Sequence, residues 1–532
     1  MRTQALFGII TVLLRAATLV FQSLIIGGIV FRRWIATDEM TPGHNLRSGT
    51  LVIRISAIVL AATQVLYLGL NTKILTASLG AGLSDIAGAN FFLTGLVTIA
   101  AALAIAFLPG SRLARPGNLV TFLSLVVLAC GALASHAFSR MEDRALLVAC
   151  TAVHQCAAAV WIGGLPQLWI SLHATAPDSR SSVARRFSSM ALISVLALFA
   201  SGMAMALRYI DSPAAMYGTA YGIMLAAKGL FFLVLVAIGA ANRRLVRCVD
   251  DERPRLRLRH FLEAEVGIGI TAILAAASLT SQPPATDLRI GRVTGSEIYD
   301  RMKPVWPRLT SPALGEVTPS ALQAIKRAAQ AGLPLPSIHV PNAPADIAWS
   351  EYNHHWAGVF VLLVGLLAGV AQTRRFSGAR YWPLLFIGLA ALIFLRADPE
   401  GWPLGADSFS ESIQDGGVLQ HKAFAVLLVM FAIFELRVQL GKRSFPAAVY
   451  VFPAVCALGG ALLLTHAHVL DNLKEQLLVE LSHTPIAIAA VLAGWSRWLQ
   501  VRLLKDDSML AARIWPVCFV AIGAILLNYR EA

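Results

Sequence analysis

Eight of the twelve histidines have the chemistry to bind a metal ion or a haem if the fold brings them together: His136, His154, His354, His355, His421, His466, His468 and His483. Neutral imidazole suits copper, zinc and haem iron, and ligands on neighbouring helices need no close spacing in sequence. The densest stretch is LTHAHVLDNLKEQLLVELSHTP, from Leu464 to Pro485, where one apolar run ends in His466 and His468 and the next opens with His483. Met203 and Met205, in SGMAMALRYI, add soft thioethers that favour Cu(I). Packing is the commoner role of methionine, and residues two apart face nearly opposite ways on a helix, so at most one of the pair could join a site. The same limit applies to His466 and His468 unless the helix ends between them.

The elements that must position these residues are membrane helices. The chain has 532 residues, 57% hydrophobic and only 14% charged, with a mean hydropathy of +0.67. Apolar runs of about 20 residues are the length that crosses a bilayer. They lie near 4–31, 50–70, 88–108, 118–138, 145–170, 187–208, 218–241 and 261–281, then 354–372, 381–396, 418–437, 447–467, 477–498 and 512–528. The expected fold is an all-α polytopic transmembrane bundle of about 14 spans. The first run is too long for a signal-peptide core and ends in Arg32 and Arg33, so it reads as a membrane helix. Six cysteines are scattered with no paired spacing, which points to small buried residues rather than disulfides or a zinc site.

Charge placement orients the bundle. The net charge of +14 collects in every second loop: Arg32, Arg33 and Arg47; Arg112 and Arg115; Arg180, Arg185 and Arg186; Arg243, Arg244, Arg247 and RPRLRLRH; then three more loops towards the C-terminus. Basic loops face the cytoplasm, so the charge reflects a membrane and not nucleic acid, and both termini are expected on the outer side. All eight histidines then fall in or near the outer leaflet. Arg15 and Lys228 lie near the middle of their spans, with Glu263 and Glu265 at the inner end of the eighth; such cations need a carboxylate, carbonyls or a water cavity. Trp349, Trp356, Trp382 and Trp402, near the ends of runs, read as interfacial anchors. Acids near these histidines are Glu351, Asp398, Asp415, Asp471 and Glu480; Glu480 stands one turn before His483 and could orient it, although an interfacial carboxylate there is more commonly solvated. No nucleotide-binding fingerprint or phosphorylated-aspartate motif is present, so any transport would run without ATP of its own.

Four segments follow: an N-terminal bundle at 1–140, a core at 141–284, an external loop domain at 285–352 with a helix-like piece, PSALQAIKRAAQAGL, and a histidine-rich C-terminal unit at 353–532. In the core, the run from His154 through Trp161 to Gly164, then Arg186 to Ser188, Ser201, Gly202, Tyr221, Gly222, Lys228, Asn242 to Arg244, Glu263, Pro283 and Pro284 resemble the copper resistance protein D family. The C-terminal unit resembles the extension of its long proteobacterial members. The resemblance implies copper homeostasis at the bacterial inner membrane, with copper moved inward from the periplasm, His154 on the family's histidine-to-tryptophan motif, and a periplasmic copper-binding protein as an expected partner. Two other functions fit the same histidines: a haem b protein transferring electrons or reducing a metal, and a partner that delivers or senses copper without transporting it.

Overall fold

The computed structural model describes residues 2–36, 43–80, 82–174, 177–288, 291–312, 317, 344–373, 375–441, 446–465 and 473–531. Among them regular structure is helical throughout. Twelve helical segments among the described residues are long and apolar enough to cross a membrane, one of them, Ser377–Arg396, beginning as a 3-10 turn, and two, Asn118–Leu133 and Ala447–Leu463, are shorter. The expected runs match these helices one for one. At 1.5 Å per residue the two short ones reach only about 25 Å, a little less than a hydrocarbon core of about 30 Å. The protein is an all-α polytopic membrane protein.

The apolar helices are α1 (Arg2–Trp34), α2 (Gly43–Leu79), α3 (Asn90–Phe107), α4 (Asn118–Leu133), α5 (Arg144–Ala174), α6 (Pro177–Tyr209), α7 (Ala220–Leu245) and α8 (Glu252–Leu279). They continue as α9 (Pro344–Thr373), α10 (Leu385–Arg396), α11 (Gly416–Gln439), α12 (Val451–Leu463), α13 (Leu473–Arg502) and α14 (Met509–Leu527). The chain divides into two compact units. One comprises Ile10–Pro213 and Met224–Asp287, and is called here the first unit; the second comprises Leu288–Ala532 with Met1–Ile9 and Ala214–Ile223. Segments 1–140 and 141–284 thus share most of one unit. The helix-like piece of the external loop lies outside the described residues.

Lipid offers no hydrophobic drive for helix pairing, so close backbone approach has to supply the contact. In the first unit α1 and α5 meet at glycines: a Cβ on Gly163 would stand 1.9 Å from the Ser23 carbonyl oxygen, and one on Gly27 2.2 Å from that of Ala159. Large apolar side chains turn the other way. Leu192, Ile193, Leu196 and Phe199 of α6 are exposed, as a lipid-facing surface requires.

The second unit has an aromatic centre of Trp382, Phe386, Phe431, Phe452, Trp515 and Phe519. Trp382, expected as an interfacial anchor, is 1% exposed there, with ring centroids 5.6 Å from Phe452 and 5.5 Å from Trp515. The 3-10 turn Ser377–Leu384 that precedes α10 carries it inward. Nearby, the fully buried Glu435 of α11 accepts from Arg497 of α13 at 2.7 Å, a pairing that makes a membrane-buried charge tolerable.

Candidate metal-capture site

In the second unit three helices bring imidazoles to one cavity of about 690 Å³: His354 from α9, His421 from α11 and His483 from α13. The His354 and His483 ring centroids are 6.0 Å apart. Two imidazoles sharing a metal at about 2 Å from each nitrogen have ring centres at most about 6 Å apart. Among the described residues no three His, Cys, Asp or Glu side chains converge closely enough to hold one ion, so the geometry is that of an open two-imidazole approach with a third imidazole on the same wall.

Backbone carbonyls decide which nitrogen of each ring is basic. His354 Nδ1 lies 2.9 Å from the Ser350 carbonyl oxygen, and His483 Nδ1 3.0 Å from that of Val479, each one helical turn back. A carbonyl only accepts, so Nδ1 carries the hydrogen and Nε2 is the basic atom. The carbonyl of its own helix thus fixes the His483 tautomer. His421 Nδ1 meets Asp398 Oδ1 at 2.9 Å, which makes its Nε2 basic in the same way. A carboxylate behind an imidazole is the arrangement that orients metal-binding histidines. The Asp398 side chain is only 14% exposed.

His354 also stacks on Tyr529, with centroids 3.8 Å apart. The Tyr529 hydroxyl donates to Glu531 at 2.9 Å, and so does Ser350. Burial pushes the Tyr529 phenol well above its ordinary value, and the adjoining Glu531 carboxylate adds to this. Burial alone would raise Glu531, but the Ser350 hydroxyl, His354 and the Tyr529 hydroxyl outweigh it and hold the carboxyl below the usual range. A fixed negative charge thus stands beside the imidazoles at neutral pH. Sequence reasoning missed Tyr529 and Glu531, which lie just beyond the last apolar run and carry no spacing signal.

His355 does something else. Its Nδ1 accepts from the Arg308 backbone N–H at 2.7 Å and its Nε2 donates to the Tyr529 carbonyl at 2.9 Å. Both nitrogens tie backbone segments together. His466 and His468 lie outside the described residues, as does Asp471.

In the first unit His154 of α5 sits between two partners. Its Nε2 is 3.2 Å from Lys228 Nζ on α7, and its Nδ1 is 3.2 Å from Ser201 Oγ on α6, which donates to the Ala197 carbonyl at 2.6 Å. With a lysine ammonium as donor the chain runs one way, from Lys228 to His154 to Ser201. Lys228 therefore finds an imidazole rather than a carboxylate. Met205 Sδ accepts from Thr151 at 3.5 Å inside the bundle, whereas Met203 is 46% exposed. His136 and Arg15 both contact the Thr280 carbonyl, Arg15 at 3.0 Å. Glu265, 2% exposed, accepts from Trp161 at 2.7 Å and Asn242 at 2.6 Å.

Residues 181–279 match the family model of copper resistance protein D. That stretch, under a fifth of the chain, is similar to the family and is called here the copper resistance protein D region. A similar protein is the copper transport protein CutJ of Bacillus subtilis (strain 168), 28% identical over 189 residues, which is 34% of this chain and 34% of that one. The match thus spans about a third of the relative's length. No solved structure matches the chain.

The copper resistance protein D region contains Ser201, Met205, Lys228, Asn242 and Glu265. Its partners His154 and Trp161 come from α5, just ahead of the matched stretch, so α5 completes the polar interior of this region. The cavity with His354, His421 and His483 lies beyond the region altogether.

Proposed function

We propose that the protein captures copper on the periplasmic side of the bacterial inner membrane and moves it inward, with His354, His421 and His483 as the capturing groups. The observation that carries this is the lining of the second unit's cavity. Three imidazoles from three helices share it with Asp346, Asp398, Glu400, Asp407, Asp415 and Glu531, and among the described residues no lysine or arginine lines it. Such a wall attracts a cation and supplies nitrogen ligands of the kind copper takes. Copper is favoured over other cations by the copper resistance protein D region and by the name of the similar transport protein. Few ligands at each step make release as feasible as capture. In the first unit Met205 and His154 are the groups suited to a later step, reached only when Lys228 leaves the His154 nitrogen. A periplasmic copper-binding protein would be the donor.

The test is copper uptake by proteoliposomes containing only this chain. His354→Ala with His483→Ala is expected to lower uptake and bound copper by at least about tenfold, as loss of ligand-shell groups does. Uptake unchanged in the double variant would sink the assignment. Absence of uptake by the unaltered chain with stoichiometric copper bound would indicate delivery or sensing, and a Soret band that shifts on dithionite reduction would indicate haem b instead.

A further inference from the structure

A copper ion accounts for the mouth of the second unit's cavity but not for its depth. Below the imidazoles the walls are Val361, Phe386, Leu389, Phe431, Phe519 and Ile522, all within membrane helices. The volume of about 690 Å³ falls in the range of small-molecule sites, about 300–1,000 Å³, and their usual lining is likewise apolar and aromatic with a few placed polar groups.

The polar groups at the mouth share one property, which is that they accept. Asn353 donates its Nδ2 hydrogen to the Arg396 carbonyl at 2.7 Å, while its Oδ1 is buried and takes no hydrogen bond from any described residue. Asp398 Oδ2 is in the same state. The donors on the same wall are already committed, the Trp349 N–H to the Arg396 carbonyl at 3.1 Å and the Ser350 hydroxyl to Glu531. His354 and His421 turn basic Nε2 atoms to complete the set, by the carbonyl and carboxylate contacts that hold their Nδ1 hydrogens. Buried acceptors with no donor are expensive to keep. A head group that only accepts, or that bears a phosphate, would meet unmatched lone pairs and carboxylates here.

We propose that this cavity binds an apolar amphiphile whose head donates hydroxyl hydrogens, the chemistry shared by an isoprenoid hydroquinone and a diacylglycerol. The head hydroxyls pair with Asn353 Oδ1 and Asp398 Oδ2, and the body lies among the aromatic and aliphatic walls. Gly459 lines the cavity, and a Cβ there finds Phe424 as its nearest neighbour at 3.4 Å, so a larger side chain fills the cavity without striking backbone.

The full chain is purified in detergent with a chelator present, so that binding is read independently of copper. Organic extraction with mass spectrometry identifies what co-purifies. Titrations then compare decyl-hydroquinone with the oxidised decyl-quinone, and dioctanoylglycerol with the fully acylated trioctanoylglycerol, using tryptophan fluorescence. At least one hydroxyl-bearing probe is expected to bind one per chain, about tenfold or more tighter than its hydroxyl-free counterpart, the factor that one unmatched buried polar group supplies. The pair that discriminates names the source. Gly459→Leu is expected to weaken that binding at least about tenfold, and Asn353→Leu to erase the preference for the hydroxyl form. Equal binding of both members of each pair, no binding of any, or affinities unchanged in both variants would overturn the proposal. Uptake unchanged in the His354→Ala, His483→Ala variant, with probe binding by the unaltered chain intact, would instead count against the copper reading alone.

Discussion

A histidine that gives its Nδ1 hydrogen to a fixed acceptor presents Nε2 as its one basic nitrogen, and the strength of that nitrogen depends on the acceptor. His421 differs from His354 and His483 because its acceptor is a carboxylate, Asp398, at 2.9 Å rather than a carbonyl. Asp398→Asn keeps the shape but replaces the carboxylate that holds the His421 ring with an amide that can flip. Copper affinity is expected to fall by about tenfold with little change in fold, read by competition against a copper chelator. An unchanged affinity would place His421 outside the capture step. The imidazoles were visible in the sequence as a one-sided set, but which nitrogen each presents was not, since that depends on partners such as Ser350, Val479 and Asp398. His355 shows the limit: adjacent to His354 in sequence, it has both nitrogens bound to the backbone of other segments.

At the scale of elements, helix pairing in the first unit depends on glycine where α1 crosses α5. A Cβ on Gly163 collides with the Ser23 carbonyl, whereas one on Gly229 of α7 meets nothing within 4 Å. Gly163→Ala is expected to lower stability by about 1–3 kcal/mol, the usual effect of overpacking, and Gly229→Ala to leave it unchanged or slightly raised. Thermal unfolding of the two variants in one detergent compares them directly. Outside the membrane, the helix Gly295–Met302 is pinned to the start of α13 by Glu297 and Lys474. Lys474, with the Thr294 backbone and hydroxyl, holds the Glu297 carboxyl down to about 2. A depressed carboxyl contributes its stability above the unfolded value of 4.5 and loses it as pH falls towards 2. Hydrogen-exchange protection in residues 295–302, corrected for the intrinsic rate at each pH, should therefore fall across that window, and Glu297→Gln should remove the dependence. The helices themselves were legible because some 20 apolar residues in a row leave no other structure in lipid. Trp382 was not, because a tryptophan near the end of an apolar run has the same sequence context whether it anchors at the interface or turns into the core.

For the whole molecule, the decisive quantity is which side of the membrane the carboxylates and imidazoles face. Within the second unit the cavity's polar lining comes from one set of helix ends: the starts of α9, α11 and α13 and the chain just after α10 and α14. The opposite ends carry Arg375, Arg380, Arg437 and Arg502, a separation that the preference of cytoplasmic loops for Lys and Arg converts into an orientation. By the same rule the native Cys248, exposed just after α7 beside Arg243, Arg244 and Arg247, is expected in the cytoplasm, and the loop holding Ala406, between α10 and α11, in the periplasm. A maleimide that cannot cross lipid should modify Ala406→Cys in intact spheroplasts but reach Cys248 only after permeabilisation. The buried Cys130 and Cys456 should stay unmodified in the folded protein. If Cys248 were labelled in intact spheroplasts and Ala406→Cys were not, the acidic mouth would open to the cytoplasm, and copper would be drawn from the cell instead of into it.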